Sequence, residues 1–274
     1  MQFWSITDPG CARTQNQDAY QIEKLGRNTL LCVVCDGMGG AKSGNVASSL
    51  AVDVFVQEVK SSWAPDMDQE KIDRMLMGAV KLANFTVYDQ SRQFEEFHGM
   101  GTTLVAALIH GKSITVVNVG DSRAYNIDRD GVELLTKDHS LVQMMVERGE
   151  LTPERARNYP GKNFITRAIG TEPVVNCDVF HKKAEGGACI LLCTDGLSNL
   201  VDDQEILFEV VHGVNKQQCC NQLLSIAKDR GAPDNVTCAL IQVVKYAWRV
   251  EPESTATPSG RADSARNHAA EKIR

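Results

Sequence analysis

A chain of 274 residues in which 43% are hydrophobic can bury a sizeable core, and its apolar segments are spread evenly up to about residue 247, which favours one domain over two. The net charge of −6 offers no basic surface for nucleic acid. No apolar stretch approaches the roughly 18 residues that span a bilayer, and the first four residues lack the basic start of a secretory signal. We therefore expect a cytoplasmic protein that neither inserts into a membrane nor binds nucleic acid.

The first ninety residues predict strands and helices of ordinary length. Three strands and two helices are expected, over residues 2–8, 18–24 and 30–35 and over residues 43–60 and 69–92. The third strand, Leu30–Cys35, is apolar without a break, which is typical of a strand buried on both faces. Ser43 or Asn45 is expected to cap the first helix. Arg13 lies in the loop between the first two strands.

In the middle of the chain, β-branched residues predominate. Four strands separated by short polar turns predict an antiparallel meander, over residues 102–109, 113–119, 123–127 and 132–135. A helix over 140–149 follows, and Asp138 and Ser140 either cap it or contribute to a site nearby. A short helix is expected to begin at Pro153. The charged segment that ends at Gly170 has few strand signals, so we expect a surface flap.

The last third of the chain predicts three strands and two helices. The strands are expected over residues 174–182, 188–194 and 236–244. Asp202 with Glu205 caps the first helix, and Asn215 with Gln218 repeats the pattern for the second. Because a meander needs hairpins that a doubly wound parallel sheet lacks, we expect an α+β fold of two packed antiparallel sheets with helices outside. Residues 1–247 form the predicted domain, and the polar residues 248–274 predict a disordered tail.

Nine cysteines raise the question of metal or disulfide chemistry. An odd number without a secretion signal favours reduced thiols that act as small core residues. Cys32 and Cys35 resemble a zinc pair, but residues three apart in a strand point to opposite faces and cannot chelate one ion. No cysteine is followed six residues later by arginine, so a cysteine-based phosphatase is disfavoured.

Acidic residues recur at the ends of the predicted strands. Asp36 and Asp195 each follow an apolar run and precede glycine, and Asp234 stands just before the last strand. A single Asp-Gly after a strand is a common hairpin signal. Its recurrence at a second strand end favours a functional site over a simple turn. Carboxylates that converge on one sheet edge repel each other and need cations to offset the repulsion, so we expect a metal site at Asp36. Asp18 and Asp121 complete the acidic set.

Seven short motifs together resemble the metal-dependent protein phosphatases, the type 2C Ser/Thr phosphatases, and specifically their small bacterial members. They occur in the family's order between about residues 5 and 244, and the ordered set is far more specific than any single motif. The motifs are Thr7-Asp8-Pro9-Gly10 with Arg13, Asn16 and Asp18; Asp36-Gly37-Met38-Gly39-Gly40; Gly99-Met100-Gly101-Thr102-Thr103; Gly120-Asp121-Ser122-Arg123; Lys137-Asp138-His139-Ser140; Thr194-Asp195-Gly196-Leu197-Ser198; and Pro233-Asp234-Asn235-Val236-Thr237.

The resemblance implies a four-layer α-β-β-α sandwich with a binuclear Mn²⁺ or Mg²⁺ centre at one end. By the family's pattern, Asp36 bridges both metals and the carbonyl of Gly37 binds one of them. Asp195 and Asp234 hold the other metal, and Asp18 lies close by and acts through water. Carboxylate and carbonyl oxygens are hard ligands, which suit Mg²⁺ or Mn²⁺ rather than softer metals.

Two further residues receive a role from the resemblance. Asp121 would share a more weakly held third metal with Asp195, and Arg13 would bind the substrate phosphate. An arginine fork matches phosphate with two parallel hydrogen bonds. Two ions about 3.5–4 Å apart supply hydroxide near neutral pH for in-line attack, so no covalent intermediate is required.

The chain departs from the family's pattern at three positions. Gln17 stands where many members have a glutamate that helps to organise metal-bound water. Met38 and Ala41 stand where eukaryotic and bacterial relatives, respectively, carry a histidine. The acid that protonates the leaving alkoxide is therefore unassigned. Metal-bound water is preferred to His139, because a lone histidine beside a helix start is more often structural.

These patterns predict a protein serine/threonine phosphatase that hydrolyses phosphoserine and phosphothreonine monoesters. The family further implies phosphorylated proteins as substrates and a cognate bacterial Ser/Thr kinase whose action the enzyme reverses. The protein is expected to be a monomer. Two alternatives stay open: a catalytically silent phosphoprotein-binding module of the same fold, which Gln17 makes conceivable, and a phosphatase for small phosphate esters.

Overall fold

The computed structural model describes residues 1–156, 159–183, 185–213 and 215–243. The predicted end of the domain, residues 244–247, and the predicted tail, residues 248–274, lie outside these ranges. In chain order, the elements are β1 (Gln2–Asp8), β2 (Asp18–Gly26), β3 (Thr29–Met38), α1 (Gly40–Ser62), α2 (Gln69–Gln93), a short 3₁₀ turn (Glu95–Phe97), β4 (Gly101–Thr102), β5 (Leu104–His110), β6 (Ser113–Val119), β7 (Arg123–Ile127), β8 (Val132–Leu134), α3 (Leu141–Glu147), α4 (Pro153–Ala156), β9 (Asp178–Lys183), β10 (Cys189–Cys193), α5 (Asp195–Ser198), α6 (Asp203–His212), α7 (Lys216–Asp229) and β11 (Val236–Gln242).

The described strands form two antiparallel sheets. One sheet has the order β1-β11-β10-β7-β8, and the other has the order β2-β3-β5-β6-β9, with β4 paired to the end of β3. Helices α1 and α2 pack on the second sheet, and α6 and α7 pack on the first. The predicted α+β sandwich of two antiparallel sheets with helices outside is therefore confirmed.

The apolar strand Leu30–Cys35 lies at the centre of this arrangement. Its odd-numbered residues belong to the core under α1 and α2, and its even-numbered residues belong to the core between the two sheets. All six are at most 1% exposed. Cys32 and Cys35 therefore point to opposite faces, as predicted from their spacing. The strand delivers Asp36 to one end of the sandwich.

The predicted meander over residues 102–135 is wrong in one respect. Strands β5 and β6 form a hairpin in one sheet, whereas β7 and β8 form a hairpin in the other. The chain crosses between the sheets at Gly120-Asp121-Ser122, where Gly120 has a φ of +109° and a Cβ would lie 2.6 Å from Thr103 Cγ2. Strand propensity does not report which sheet a strand joins. This crossing brings Asp121 to the same end as Asp36.

Two element boundaries also differ from the prediction. Helix α1 begins at Gly40, directly after β3, rather than at a cap formed by Ser43 or Asn45. Ser43 lies inside the first turn, and its hydroxyl donates to the carbonyl of Gly39, which is the local bond that lets serine enter a helix. Strand β9 begins at Asp178, later than the predicted residue 174. The predicted capping box of Asp202 and Glu205 is present at α6.

No helix within the described ranges combines the length and the apolar character needed to cross a bilayer.

Candidate active site

The adjoining ends of β2 and β3 bring two carboxylates together. Asp18 and Asp36 are direct partners in the antiparallel register, and directly opposite residues in such a pair project from the same face. Burial raises the pKa of Asp36 well above its ordinary value, and so do the charges of four other carboxylates. These are Asp18, Asp195, Asp121 and Asp234. The structure therefore brings all five predicted carboxylates to one end of the sandwich.

Hydroxyl groups satisfy one oxygen of Asp18. Thr194 and Thr237 donate to Asp18 Oδ2 at 3.0 and 2.6 Å. Asp18 Oδ1 is buried and has no hydrogen-bond partner in the described part of the chain. Burial raises the pKa of Asp18 to about 7, although the two hydroxyl hydrogen bonds act to lower it. A buried carboxylate oxygen that no protein group satisfies costs free energy unless water or a cation binds it.

The residues that follow β4 fix the backbone at Asp36. The Asp36 N–H donates to Thr103 Oγ1 at 2.8 Å, and the Thr103 N–H donates to the Asp36 carbonyl at 2.9 Å. The Gly37 N–H donates to the Gln17 carbonyl at 3.1 Å. Asp36 remains partly accessible to solvent, so a ligand can reach it. Thr103 stands in one of the seven motifs, but this role could not be predicted because its partner lies 67 positions away in the chain.

Asp195, at the start of a short helix, and Asp234, in the turn before β11, lie on two segments that pack directly against each other. Asp195 is the first residue of the short helix α5, which was not predicted. A Cβ on Gly196 would lie only 1.9 Å from the carbonyl oxygen of Asn235, so this close approach requires glycine. Burial has the largest effect on the pKa of Asp195 and raises it, and the charge of Asp234 raises it further. Asn199 Nδ2 donates to Asp195 Oδ2 at 2.9 Å, whereas Asp195 Oδ1 has no partner among the described residues.

Asp121 is less exposed than the other four carboxylates. It is 6% exposed, and its Oδ1 has no partner in the ranges that the structure describes. Burial and the charges of Asp195 and Asp138 raise its pKa well above the ordinary value. Asp121 and Asp195 both line an open cleft of about 670 Å³. The two residues are therefore close to each other, and their joint role in binding a third ion stays a prediction.

Arg13 lies at the rim of the site, next to a predicted metal ligand. Its Nη2 donates to Asp234 Oδ2 at 2.9 Å, and its side chain is 53% exposed. Asn235 holds the loop that carries Arg13: its Nδ2 donates to the carbonyls of Pro9 and Gln15, both at 3.0 Å, and its Oδ1 accepts from the Gln17 N–H at 2.8 Å. Asn235 is a positioning residue that sequence reasoning missed, although a quoted motif contained it.

The cleft beside Asp121 and Asp195 is bounded by the predicted flap. Ser140 caps α3 by accepting from the Gln143 N–H at 3.3 Å. Asp138 does not cap the helix; instead, its carboxylate accepts from Arg123 Nε at 3.0 Å and from Nη2 at 2.7 Å. Both Asp138 and Ser140 also line the cleft. Ser140 therefore caps the helix, whereas Asp138 forms an ion pair at the wall of the cleft.

The oxygen atoms at this end of the sandwich fit hard divalent cations. Three buried carboxylate oxygens lack partners within the described residues, on Asp18, Asp121 and Asp195. In those same ranges, no three His, Cys, Asp or Glu side chains already form a group that could hold a metal ion. One oxygen of Asp234 is instead held by Arg13. A cation bound by Asp234 would therefore compete with Arg13 for this carboxylate, and oxygen-only ligands would favour Mg²⁺ or Mn²⁺.

Comparison with known proteins agrees with this geometry. The sequence profile described as "Protein phosphatase 2C" matches residues 12–226. The serine/threonine phosphatase stp of Listeria monocytogenes (serotype 4b, strain F2365) is 34% identical over 236 residues, which cover 86% of this chain and 93% of that protein. The crystal structure of the serine/threonine phosphatase Stp1 from Staphylococcus aureus superposes with a TM-score of 0.82 at 38% identity, covering 87% of this chain and 93% of that one.

A third relative extends the comparison. The crystal structure of the serine/threonine phosphatase PstP/Ppp of Mycobacterium tuberculosis superposes with a TM-score of 0.78 at 31% identity, covering 89% of this chain and 98% of that one. The double sheet with its acidic end thus defines a phosphatase of the type 2C class. The chain belongs to the protein phosphatase 2C family, and within it to the bacterial serine/threonine phosphatases.

Proposed function

We propose that this chain is a metal-dependent phosphatase that hydrolyses phosphoserine and phosphothreonine monoesters in proteins. The observation that supports the proposal best is the convergence of five carboxylates on one end of the sandwich, three of which present buried oxygens without partners in the described structure. Such a group is stable only when cations or protons offset its charge. The family membership supports the substrate class.

The proposed ligands are the residues that the sequence predicted. Asp36 and the Gly37 carbonyl would hold one Mn²⁺ or Mg²⁺, and Asp36, Asp195 and Asp234 would hold a second. Asp18 would act nearby through water, and Asp121 with Asp195 would hold a third, weaker ion. When bound, such ions acidify a water molecule and neutralise charge on the phosphoryl oxygens.

The protein's own residues orient the reaction. Arg13 stands half-exposed at the rim, where its guanidinium can exchange the Asp234 carboxylate for a substrate phosphate. Asn235 keeps the loop of Arg13 beside Asp234. Thr194 and Thr237 hold Asp18 in one rotamer by donating to the same oxygen. Together they fix where a phosphate would sit relative to the carboxylates.

His139 is not the acid that protonates the leaving group in this arrangement. It is 6% exposed, its Nδ1 accepts from the Gly120 N–H, and its Nε2 lies 3.3 Å from Asp178 Oδ2. Both ring nitrogens therefore face protein groups, and His139 is not among the residues that line the cleft beside Asp121 and Asp195.

A direct assay separates the proposal from the alternatives. The protein is treated with a chelator and then assayed on a phosphothreonine peptide and on p-nitrophenyl phosphate, with and without Mn²⁺. We expect turnover of the peptide only when Mn²⁺ is present. Turnover of the small ester alone would favour a small-ester phosphatase. A folded protein that stays inert with Mn²⁺ and with Mg²⁺ would favour the silent binding module.

The proposal includes a partner and a location. Substrates of this kind require a kinase that phosphorylates serine and threonine, so we propose a cognate Ser/Thr kinase as the opposing enzyme, with the phosphatase acting as a monomer. All nine cysteines are free, which is typical of a reducing compartment and supports a cytoplasmic location.

A further inference from the structure

One histidine holds both polar backbone groups of the residue before Asp121. His139 Nδ1 accepts from the Gly120 N–H at 3.0 Å, and the His139 N–H donates to the Gly120 carbonyl at 2.9 Å. Asn118 Nδ2 donates to the same carbonyl at 3.2 Å. Gly120 lies at the crossing between the two sheets, so these bonds fix the turn that carries Asp121. They join two segments that are 19 positions apart.

The hydrogen bonds of His139 define which ring nitrogen carries the proton. Because Nδ1 accepts a hydrogen bond, the proton of the neutral ring lies on Nε2 and points to Asp178 Oδ2, 3.3 Å away. Arg167 Nη1 is 3.0 Å from Nε2, but it donates to Asp178 Oδ1 at 2.8 Å and to the Asn176 carbonyl at 3.2 Å. Burial lowers the pKa of His139, which favours this neutral form. Asp178 thus orients the ring that holds Gly120.

The position of Asp121 depends on this turn. Its Oδ1 has no partner in the described structure, so the backbone of the turn decides where this oxygen points. Ser122, on the other side, shares a 2.7 Å hydrogen bond with Thr103, whose hydroxyl oxygen also accepts from the Asp36 N–H. The turn is therefore anchored to Asp36 on one side and to His139 on the other.

We propose that His139 is a positioning residue for Asp121: its Nε2–H tautomer fixes Gly120, and Gly120 fixes the carboxylate that, with Asp195, receives the weakly held divalent cation. The inference rests on the proposed function, because it takes Asp121 as a cation ligand. It assigns His139 to the alignment of the site rather than to proton transfer.

Two substitutions separate the halves of the imidazole. His139→Asn places an acceptor oxygen where Nδ1 stands and keeps the bond from Gly120. His139→Gln places its amide near the position of Nε2 and leaves the Gly120 N–H without its acceptor. Asp121→Asn is the control that removes the proposed ligand itself. All three are compared with wild type in the whole 274-residue chain.

The first readout needs no metal. In the chelator-treated protein, hydrogen exchange at the Gly120 amide, followed by NMR, should be roughly 10-fold faster in His139→Gln than in wild type, as expected for the loss of one buried hydrogen bond. His139→Asn should keep the wild-type rate. Equal rates in wild type and His139→Gln would overturn the proposal.

The second readout is a Mn²⁺ titration in which free Mn²⁺ is measured by electron paramagnetic resonance. His139→Gln should weaken the low-affinity class of sites roughly 10-fold, as losses of supporting hydrogen bonds around metal ligands do. The high-affinity sites, here called the tight class, should bind Mn²⁺ as in wild type. His139→Asn should resemble wild type in both classes. Asp121→Asn should lose the low-affinity sites, here called the weak class. Equal weakening by Asn and Gln, or a wild-type protein without a weak class, would overturn the proposal.

The two readouts also distinguish this proposal from the proposed function. If wild type bound no Mn²⁺ tightly, the metal-dependent function would fail and the cation part of this inference would fail with it, whatever Gly120 showed. If the tight class were present and His139→Gln left the weak class unchanged, only the role of His139 would fail. Should His139→Gln not fold by circular dichroism, His139→Asn decides: weak-class affinity within about threefold of wild type sustains the proposal, and a roughly 10-fold loss overturns it.

Discussion

The space between the two sheets and the acidic end of the same sandwich are stabilised in opposite ways. Between the sheets, Leu30, Ile190 and Ile241 are at most 1% exposed and pack in one hydrophobic cluster. At the end, Asp121 is 6% exposed and Asp18 is half-buried, and each carries a buried carboxylate oxygen without a partner in the described structure. The first region is stabilised by apolar burial, whereas the second concentrates carboxylates whose charge must be offset.

The difference separates a region that stabilises the fold from one that lowers stability unless its charge is offset. A buried Leu or Ile contributes about 1.5–3 kcal/mol to the free energy of folding, and an unsatisfied buried polar group costs about 1–3 kcal/mol. The acidic end therefore lowers the stability of the metal-free protein. Such a cost is retained where activity requires it.

The largest expected effect comes from Asp36→Asn. Loss of the residue proposed to bridge both ions should lower kcat/KM on a phosphothreonine peptide roughly 10³-fold, which corresponds to several kcal/mol of charge stabilisation. The metal-free variant should in turn be more stable by about 0.5–2 kcal/mol, because one buried charge is gone. Urea unfolding and steady-state assays measure both quantities. Asp53→Asn, on the exposed face of α1, is the control that should change neither. Wild-type turnover in Asp36→Asn would refute the assignment.

Ile190→Ala should have the opposite effects: a loss of stability with little change in activity. Truncation of this side chain between the sheets should cost about 2–5 kcal/mol in the free energy of unfolding, by lost burial and by a cavity. The loss should be the same with and without Mn²⁺, and kcat of the folded fraction should hold. Val211→Ala, at a site that is 39% exposed, should cost no more than about 0.5 kcal/mol. Equal losses for Ile190 and Val211 would mean that the two sheets do not share a packed core.

Arg13→Ala tests whether the arginine at the rim of the site binds the substrate phosphate. Loss of charge-assisted hydrogen bonds to phosphate should raise KM for the peptide roughly 10- to 100-fold, with a smaller change in kcat. Because Arg13 pairs with Asp234 in the free protein, Mn²⁺ affinity should be unchanged or higher. Arg74→Ala, on the exposed side of α2, is the matched control. An unchanged KM would remove Arg13 from the substrate site.

The smallest effects come from two glycines. In Gly196→Ala, the new Cβ would meet the Asn235 carbonyl, so the variant should lose about 1–3 kcal/mol of stability and bind Mn²⁺ more weakly as Asp195 and Asp234 move apart. Gly78 lies within α2, and a Cβ there meets nothing within 4 Å. Gly78→Ala should therefore gain about 0.5–1 kcal/mol through helix propensity. Thermal unfolding measures both, and a gain of stability in Gly196→Ala would contradict the packing of the two segments.

Much of the sandwich was predictable because burial leaves a direct trace in the sequence. The unbroken apolar run Leu30–Cys35 indicated a strand buried on both faces, and the Asp202–Glu205 capping box located α6. The acidic residues were found because each stands at a strand end. Each of these patterns involves only residues within a few positions of one another, so it can be recognised before the fold is known.

The contacts that align the site were not predictable in the same way. Thr103, Asn235 and His139 act through hydrogen bonds to backbone groups far away in the sequence. The crossing at Gly120 depends on which sheet β7 joins, and strand propensity is the same in both sheets. Side chain to backbone bonds between distant loops exist only after the fold has assembled.

We propose that the acidic end is stable only with divalent cations bound. The most direct test compares urea unfolding of wild type and Asp36→Asn in chelator and in Mn²⁺. We predict that wild type gains about 2.7 kcal/mol at 100 times the Kd, while Asp36→Asn starts higher in chelator and gains little. Equal gains in both proteins, or a wild type whose stability does not respond to Mn²⁺, would contradict this dependence on cations.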